Sequence, residues 1–186
     1  MAQDIKTADI AIIGTGPAGI SAAITAKIRN KEILLFGAEP VSSKVAKAHR
    51  ILNYPGLPAV SGEELAQAYK RHLDELQIAV TKKRVHAVYA MGSYFAIQAG
   101  QEQYRADSVI LACGMTADKP FPGENEFLGR GVSYCATCDA QFFKGKTVAV
   151  IGYTKESVEE AQYLAEIVGK VLYFPMGKEA VLPGLS

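Results

Sequence analysis

Three glycines between a short apolar segment and an alanine-rich segment constrain the fold of this chain more than any other feature. Gly14, Gly16 and Gly19 lie in ADIAIIGTGPAGISAAITAKIRNKEILLFGAE with the spacing Gly-x-Gly-x-x-Gly. The apolar run before them predicts a strand over residues 10–13, and isoleucines four apart predict a helix over residues 17–29. EILLF predicts a second strand, so the glycines join strand to helix inside a βαβ unit. In that context the spacing predicts dinucleotide binding.

Each glycine has a physical reason to occupy its position in such a loop. Gly14 permits the tight turn, Gly16 leaves bare backbone for a pyrophosphate, and Gly19 lets helix and strand pack closely. The helix N-terminus adds free N–H groups and a partial positive charge. The alternative is an ordinary tight turn without a ligand. An acid that binds a ribose hydroxyl is expected about 20 residues further on, where Glu39 is either that ligand or a turn residue.

A helix and several strands are predicted for the middle of the chain. SGEELAQAYKRHLDELQI predicts a helix that begins with a capping box of Ser61 and Glu64. The predicted buried stripe of this helix is Leu65, Tyr69, Leu73 and Leu76. AVTKKRVHAVYAMG, SYFAIQAG and YRADSVILACG predict strands joined by glycine turns. SVILACG is the most apolar, so we expect it to return to the parallel sheet and to bury Cys113 in the core.

The second half of the chain repeats the strand–helix–strand pattern. KTVAVIG, KESVEEAQYLAEIVG and KVLYF predict the three elements in turn. KPFPGENEFLGRG is rich in proline and glycine, which places a domain crossing near residues 115–120. The sequence therefore predicts an α/β protein of two tandem Rossmann-like, three-layer βα domains, over residues 1–116 and 117–186. We expect the second domain to be incomplete.

Composition and charge exclude several classes of protein. The 186 residues are 49% hydrophobic and 21% charged, as in a soluble globular chain. A net charge of +1 does not indicate the excess of basic residues that is typical of nucleic-acid-binding proteins. No apolar run approaches the ~20 residues of a membrane span, and MAQDIKTADIAIIG is not a signal peptide. Three cysteines do not suggest a secreted disulfide scaffold, so we expect a cytoplasmic protein.

The cysteine pair in SYCATCDAQFF is the second constraint on function. Cys135 and Cys138 are close enough in sequence for their sulfurs to bond, and a thiol pKa in such a motif is often depressed. Asp139 follows at once and can shuttle a proton. A zinc site needs about four ligands, and no other cysteine or histidine repeats the close spacing, so we predict no metal site. A structural pair is the other alternative, and we favour a redox pair that exchanges two electrons with a flavin.

The two motifs together resemble the low-molecular-weight thioredoxin reductases, which are two-domain flavoproteins. IIGTGPAG, NYPG, ILACG, GRGVSYCATCDAQFFKGKTVAVIG and VEEAQYL stand in the same order as in that family. The resemblance implies FAD in the first domain, held by a phosphate loop and by flavin-side residues of two further segments. These residues are Gly14, Gly16, Pro17, Ala18 and Gly19 in the loop, Asn53 in NYPG, and Ala112 and Gly114 in ILACG.

The same resemblance implies roles for the cysteine segment. Cys138 would face the flavin, Cys135 would attack the partner disulfide and Asp139 would be the acid–base group. The implied partner is thioredoxin, although a glutaredoxin-like protein or a peroxiredoxin component would fit the same chemistry. Because the family tends to form dimers, the resemblance also implies a homodimer.

The second glycine-rich loop of the family, which binds NADPH, is not kept. Residues 152–157 read GYTKES, so Tyr153 and Thr154 put side chains where a pyrophosphate needs bare backbone, and Glu156 adds negative charge. YFPMGKEAV after the next strand has one lysine and no arginine for a 2′-phosphate. In the first domain, FGAEPVSSK lacks the Gly-Gly-Gln that the family uses near the adenosine. We therefore expect a degenerate pyridine-nucleotide domain that does not bind NADPH.

This combination resembles the ferredoxin-dependent flavin thioredoxin reductases of anaerobic bacteria, which keep FAD and Cys-x-x-Cys without NADPH recognition. GYTKESVEEAQYLAEI is similar to that branch. The implied path runs from reduced ferredoxin to FAD, from FAD to the cysteine pair, and from the dithiol to thioredoxin. Acidic ferredoxins would favour a basic docking face. KVAKAHR and KKR are candidates, although solvated surface residues are the simpler interpretation.

Two alternatives to a ferredoxin-fed enzyme stay open. One is an NADPH-dependent thioredoxin reductase with an atypical loop, and the other is a non-catalytic FAD-binding module that senses redox state. Family chains continue beyond this one and return to complete the FAD domain, whereas this sequence ends at VLPGLS. We expect an incomplete chain rather than a reduced form completed by a partner.

Overall fold

The computed structural model describes residues 5–38, 40–114 and 120–176, which form two units. Unit 1 contains the described residues up to Ile51 and those of Ala59–Pro122. Unit 2 contains Leu52–Pro58 and the described residues from Gly123 onward. The predicted domain boundary between residues 116 and 117 lies outside the described residues, so it stays a prediction.

Unit 1 is built on a six-stranded sheet with three helices. Its elements are β1 (Lys6–Ile13), α1 (Pro17–Ile28), β2 (Ile33–Phe36), α2 (Ser43–Ala46), α3 (Gly62–Glu75), β3 (Val80–Thr81), β4 (Val85–Ala90), β5 (Phe95–Ala99) and β6 (Glu102–Leu111). The strand order is β3-β2-β1-β6-β5-β4. β3, β2, β1 and β6 run parallel to one another, and β5 and β4 continue the sheet antiparallel. The predicted α/β class and the return of β6 to the parallel sheet are confirmed.

Parallel pairing brings the ends of β1 and β6 to the same edge of the sheet. Ile13 is in register with Leu111, so the residues that follow the two strands are neighbours. The Ala112 N–H donates to the Ile13 carbonyl over 2.9 Å. On one face of the sheet Phe36 packs edge-on against Tyr104, with ring centroids 5.0 Å apart, in a buried cluster. The pairing of β1 with β6 above this core holds the two turns beside each other.

Helices α1 and α3 differ in how well their buried faces follow the predicted stripes. In α3, Leu65, Tyr69 and Leu73 are buried as predicted. Leu76, the fourth residue of the predicted stripe, is the C-cap residue and is only half-buried. In α1, however, Ile20 is fully buried while Ile28 is 65% exposed. Because four residues turn a helix about 40° past a full circle, side chains four apart drift off one face. Gly19, Ile20, Ala23 and Ala26 form the face that is buried.

Unit 2 contains the second predicted βαβ unit, which is confirmed. Its elements are α4 (Glu124–Phe127), α5 (Ala136–Asp139), a 3₁₀ turn (Ala140–Phe143), β7 (Thr147–Gly152), α6 (Lys155–Ala165) and β8 (Lys170–Pro175). β7 and β8 pair in parallel, from Thr147 opposite Lys170 to Gly152 opposite Pro175. Ala140, Leu164 and Val168 form the buried cluster of this unit. Among the helices in the described part of the chain, none is long and apolar enough to cross a membrane.

Candidate active site

The loop between β1 and α1 has the geometry of a phosphate cradle. Gly14 has φ +122°, and a Cβ there would overlap with the carbonyl oxygen of Ala112. A Cβ on Gly19 would overlap with the carbonyl oxygen of Gly14, whereas a Cβ on Gly16 would meet no atom within 4 Å. Gly14 and Gly19 are therefore needed for the fold of the loop. Gly16 instead leaves an open approach to the backbone.

The first turn of α1 faces that open approach. Gly16 is the N-cap, Pro17 is the first helical residue, and no side chain caps the helix by a hydrogen bond. The helix N-terminus therefore offers partial positive charge with no acidic residue in its first turn. The Ser42 N–H donates to the Thr15 carbonyl over 2.9 Å, which ties the loop to the segment after β2. These residues fit the diphosphate of FAD, and their role as ligands stays a prediction, as does that of Ala18.

The turn after β6 places Ala112 and Cys113 beside the glycine loop, and Gly114 follows them. Gly114 has φ +66°, a conformation that favours glycine. The prediction that Cys113 is a core residue was wrong, because the thiol is exposed. The paired part of β6 ends at Leu111, so Cys113 lies in the turn rather than on a face of the sheet. Its Sγ is 3.6 Å from the Ile13 carbonyl oxygen. The candidate ribose ligand Glu39 lies outside the described residues.

Cys135 and Cys138 form a disulfide, with their Cα atoms 5.3 Å apart. Cys135 is the N-cap of the short helix α5, and Cys138 lies in its single turn. Both residues are half-buried. Among the described residues, no three of the types His, Cys, Asp and Glu cluster as metal ligands would. The pairing supports the redox interpretation of the motif.

The two sulfurs have different hydrogen-bond donors. The Cys138 N–H donates to Cys135 Sγ over 3.3 Å, and Thr137 Oγ1 is 3.5 Å from the same sulfur. Cys138 Sγ instead accepts from the side-chain amide of Asn53, with Nδ2 at 3.7 Å. The sequence carried no local signal for this contact, because the two residues are 85 positions apart. The predicted place of Asn53 beside a flavin stays a prediction.

The residues just before the disulfide make side-chain hydrogen bonds, and one of them holds the Cys135 backbone. Ser133 Oγ accepts from the Cys135 N–H over 3.0 Å and donates to the Cys135 carbonyl over 3.2 Å. The Tyr134 hydroxyl donates to the Glu124 carboxylate, and this bond raises the pKa of Tyr134. Asp139 is half-buried, and the hydrogen bonds of the described residues include none from its carboxylate to either sulfur. Its acid–base role stays a prediction.

Side chains of α6 and β8 pack against Gly152, at the end of β7. A Cβ on Gly152 would overlap with Tyr173 Oη and Ser157 Oγ. Ser157 Oγ donates to the Thr154 carbonyl over 2.5 Å and lies 2.9 Å from Tyr173 Oη. Because the serine proton is used on that carbonyl, the tyrosine hydroxyl is the donor between the two side chains.

A carboxylate lies at the start of α6. A hydrogen bond from the Thr154 side chain, followed by one from its own backbone N–H, lowers the pKa of Glu156. Glu156 is therefore ionised at neutral pH, and its negative charge lies where the helix N-terminus would favour an anion. A dinucleotide phosphate at this loop would meet this negative charge.

Comparisons with known proteins agree with these features. The family profile described as "Pyridine nucleotide-disulphide oxidoreductase" matches residues 8–184. A thioredoxin reductase of Aquifex aeolicus (strain VF5) is 38% identical, over 98% of this chain and 58% of its own length. A thioredoxin reductase of Bacillus subtilis (strain 168) is 36% identical, over 89% of this chain and 53% of its own length. The chain thus spans little more than half the length of these curated relatives.

Two solved structures are also similar. A ferredoxin-flavin thioredoxin reductase from Clostridium acetobutylicum is 52% identical, with a TM-score of 0.59, over 96% of this chain and 62% of that one. The thioredoxin reductase from Streptococcus pyogenes MGAS5005 is 34% identical, with a TM-score of 0.74, over 91% of this chain and 56% of that one. The resemblance found in the sequence motifs is confirmed.

Proposed function

The chain belongs to the pyridine nucleotide-disulphide oxidoreductase family, and on that premise we propose that it is a flavin-dependent thioredoxin reductase fed by ferredoxin. The observation that carries the proposal is the half-buried Cys135–Cys138 disulfide, whose two sulfurs have separate hydrogen-bond donors. A pair of this kind can take up two electrons and pass them to another disulfide by thiol–disulfide exchange. The disulfide of thioredoxin is the proposed acceptor, because the relatives of this chain are thioredoxin reductases.

FAD is the cofactor of this family, and the glycine loop of unit 1 fits its diphosphate. When bound, it would supply the conversion of single electrons into a pair. In this proposal the backbone around Gly16 and the N-terminus of α1 bind the diphosphate, and Gly14 and Gly19 keep that loop closed. Ala112 lies beside the loop in the second turn of the same sheet edge, and Gly114 is two residues further along that turn.

The choice of ferredoxin over NADPH rests on the second βαβ unit. In this proposal Tyr153 and Thr154 put side chains where a pyrophosphate needs bare backbone, and the Glu156 carboxylate repels phosphate at the start of α6. The 52% identity to a ferredoxin-flavin thioredoxin reductase supports the same donor. A homodimer, implied by the resemblance, and a cytoplasmic location, expected from the cysteine content, are the remaining parts of the proposal.

An anaerobic reduction experiment tests the electron donor. The full-length, FAD-loaded protein is mixed with reduced ferredoxin or with NADPH, and the flavin absorbance is followed. We expect rapid bleaching with ferredoxin and none with NADPH, in a sample that dithionite bleaches. Oxidised thioredoxin is then added, and its new thiols are counted by a colorimetric reagent.

Each outcome of that experiment bears on a different part of the proposal. Bleaching by NADPH would remove the ferredoxin assignment and favour the NADPH-dependent alternative. Bleaching without new thioredoxin thiols would remove thioredoxin as the acceptor. A flavin that ferredoxin cannot reduce would contradict the donor even if thioredoxin is reduced after dithionite treatment.

A further inference from the structure

Asn53 contacts one of the two reacting sulfurs from a separate segment of unit 2. Its Nδ2 is 3.7 Å from Cys138 Sγ, at a distance suited to an N–H···S hydrogen bond. Leu52–Pro58 belongs to the same unit as the cysteine segment, so the contact is internal to that unit. Cys135 Sγ, by contrast, has its donors within the motif, at Cys138 N and Thr137 Oγ1. The amide of Asn53 therefore distinguishes Cys138 from Cys135.

We propose that Asn53 is a catalytic residue of the disulfide, whose side-chain amide stabilises the negative charge on Cys138 Sγ when the S–S bond breaks. The inference deepens the proposed function and rests on it for the electron source and the acceptor. The contact itself depends on neither.

The charge on Cys138 arises when the disulfide is reduced. Two electrons and one proton convert the Cys135–Cys138 bond into a Cys135 thiol and a Cys138 thiolate. In the proposed function the electrons come from the reduced flavin, and in vitro a small dithiol supplies them and is itself oxidised to a disulfide. A hydrogen bond to a charged acceptor is stronger than one to a neutral acceptor, so the Asn53 amide favours this distribution of charge.

The same thiolate is needed to release the product. Cys135 loses its proton as it attacks the partner disulfide; a Cys135–partner bond forms, the partner S–S bond breaks, and the proton ends on the departing partner sulfur. Cys138 then attacks Cys135 Sγ as a thiolate, which restores the internal disulfide and releases the second partner sulfur as a thiolate. Because only the thiolate is nucleophilic, a donor fixed at Cys138 speeds this second step.

The surroundings of Cys138 place an acidic residue next to it in the chain. Asp139 follows it on α5, and a carboxylate there opposes a second negative charge. The 3₁₀ turn and α6 pack against α5 through an apolar cluster that includes Phe143 and Leu164. Tyr163 of α6 is a titratable residue of that cluster, and the Lys146 ammonium lies over the Phe143 ring, 5.7 Å from its centroid.

Alkylation of Cys138 in the full-length protein measures the effect directly. Cys113→Ser and Cys135→Ser are introduced so that Cys138 is the thiol that reacts, and the iodoacetamide rate is followed against pH. We expect Asn53→Ala to raise the pKa of Cys138 by about one unit. Asn53→Asp keeps the shape but replaces the donor by a carboxylate, so it should raise that pKa further. Gln141→Ala, which removes an exposed amide of the 3₁₀ turn, should leave it unchanged.

The order of the variants decides the proposal. An unchanged pKa in both Asn53 variants, or an equal rise in Gln141→Ala, would overturn it. A smaller rise in Asn53→Asp than in Asn53→Ala would also overturn it. A carboxylate beside the Cys138 thiolate should raise the pKa more than the loss of the amide alone, whereas a change in packing predicts no such order. The readout needs neither ferredoxin nor thioredoxin. A protein that shows the pKa shifts but reduces no thioredoxin would contradict the proposed function and leave the role of Asn53 intact.

Discussion

Gly16 and Gly19 stand three residues apart in one loop, but the space around them differs. A side chain on Gly19 would collide with the Gly14 backbone, while one on Gly16 would point into open space. We predict that Gly19→Ala lowers the free energy of unfolding by about 1–3 kcal/mol. Gly16→Ala should change it by less than about 0.5 kcal/mol and should weaken FAD binding instead. Denaturant unfolding of the apoprotein and flavin-fluorescence titration measure the two effects.

The two variants act as controls for each other, since both add one methyl group to the same loop. Gly16 has φ −81°, which alanine adopts without strain. If Gly16→Ala lowered the free energy of unfolding as much as Gly19→Ala, the inference that the space at Gly16 is open would be wrong. If Gly16→Ala bound FAD as tightly as the parent protein, the cradle would not be the diphosphate site.

Single residues also show where sequence reasoning succeeds. The spacing of Gly14, Gly16 and Gly19 was sufficient to predict their spatial roles, because these depend on a local turn between a strand and a helix. The contact between Asn53 and Cys138 could not be predicted, because it depends on how distant segments meet. Cys113 was misplaced because an apolar run continues past the last paired residue of its strand. Hydrophobicity alone does not mark where pairing stops.

At the scale of single elements, α3 has the most complete start signal among the described helices. The Glu64 N–H donates to Ser61 Oγ over 3.2 Å, and the Ser61 N–H donates to the Glu64 carboxylate over 2.9 Å. We predict that Ser61→Ala lowers the free energy of unfolding by about 1 kcal/mol, measured by denaturant unfolding. Ser93→Ala, in the exposed turn between β4 and β5, is the matched control and should have no measurable effect.

The same capping box makes the stability of α3 depend on pH. Hydrogen bonds from the Ser61 backbone and then from its side chain lower the pKa of Glu64 in the folded protein. Its contribution is therefore present above the ordinary carboxyl pKa and is lost as the pH falls through the lowered folded value. The difference between parent and Ser61→Ala should shrink over that acidic range. A difference that stays constant there would contradict the role of the Glu64 carboxylate.

Elements with strong local signals were predicted best. The cap and the apolar stripe of α3 lie within one stretch of sequence, and β7, α6 and β8 follow directly from their periodicity. In α1 the isoleucine spacing gave the helix but not its buried face, since small residues such as Ala23 allow close packing on the sheet. Burial of a helix face depends on the partner surface, and the sequence of the helix does not contain that surface.

At the scale of the whole molecule, the two kinds of chemistry belong to different units. The glycine loop is part of unit 1, and the disulfide with Asn53 is part of unit 2. The sequence predicted two tandem βαβ units because each repeats the same strand–helix–strand pattern. The place where the chain passes between domains carries no periodicity, so it was inferred from proline and glycine content alone.

Because the glycine loop and the disulfide belong to different units, cofactor binding and turnover can be tested separately, which distinguishes an enzyme from a passive redox sensor. We predict that Cys138→Ser abolishes thioredoxin reduction while the protein keeps its FAD, because a single remaining thiol cannot form the internal disulfide and the glycine loop is untouched. Flavin absorbance after gel filtration measures cofactor content, and thioredoxin thiols measure turnover with dithionite as reductant. Cys113→Ser replaces the exposed thiol outside the motif and should preserve both quantities. A parent protein with FAD but no turnover would favour the sensor, whereas turnover that survives Cys138→Ser would remove the disulfide from the electron path.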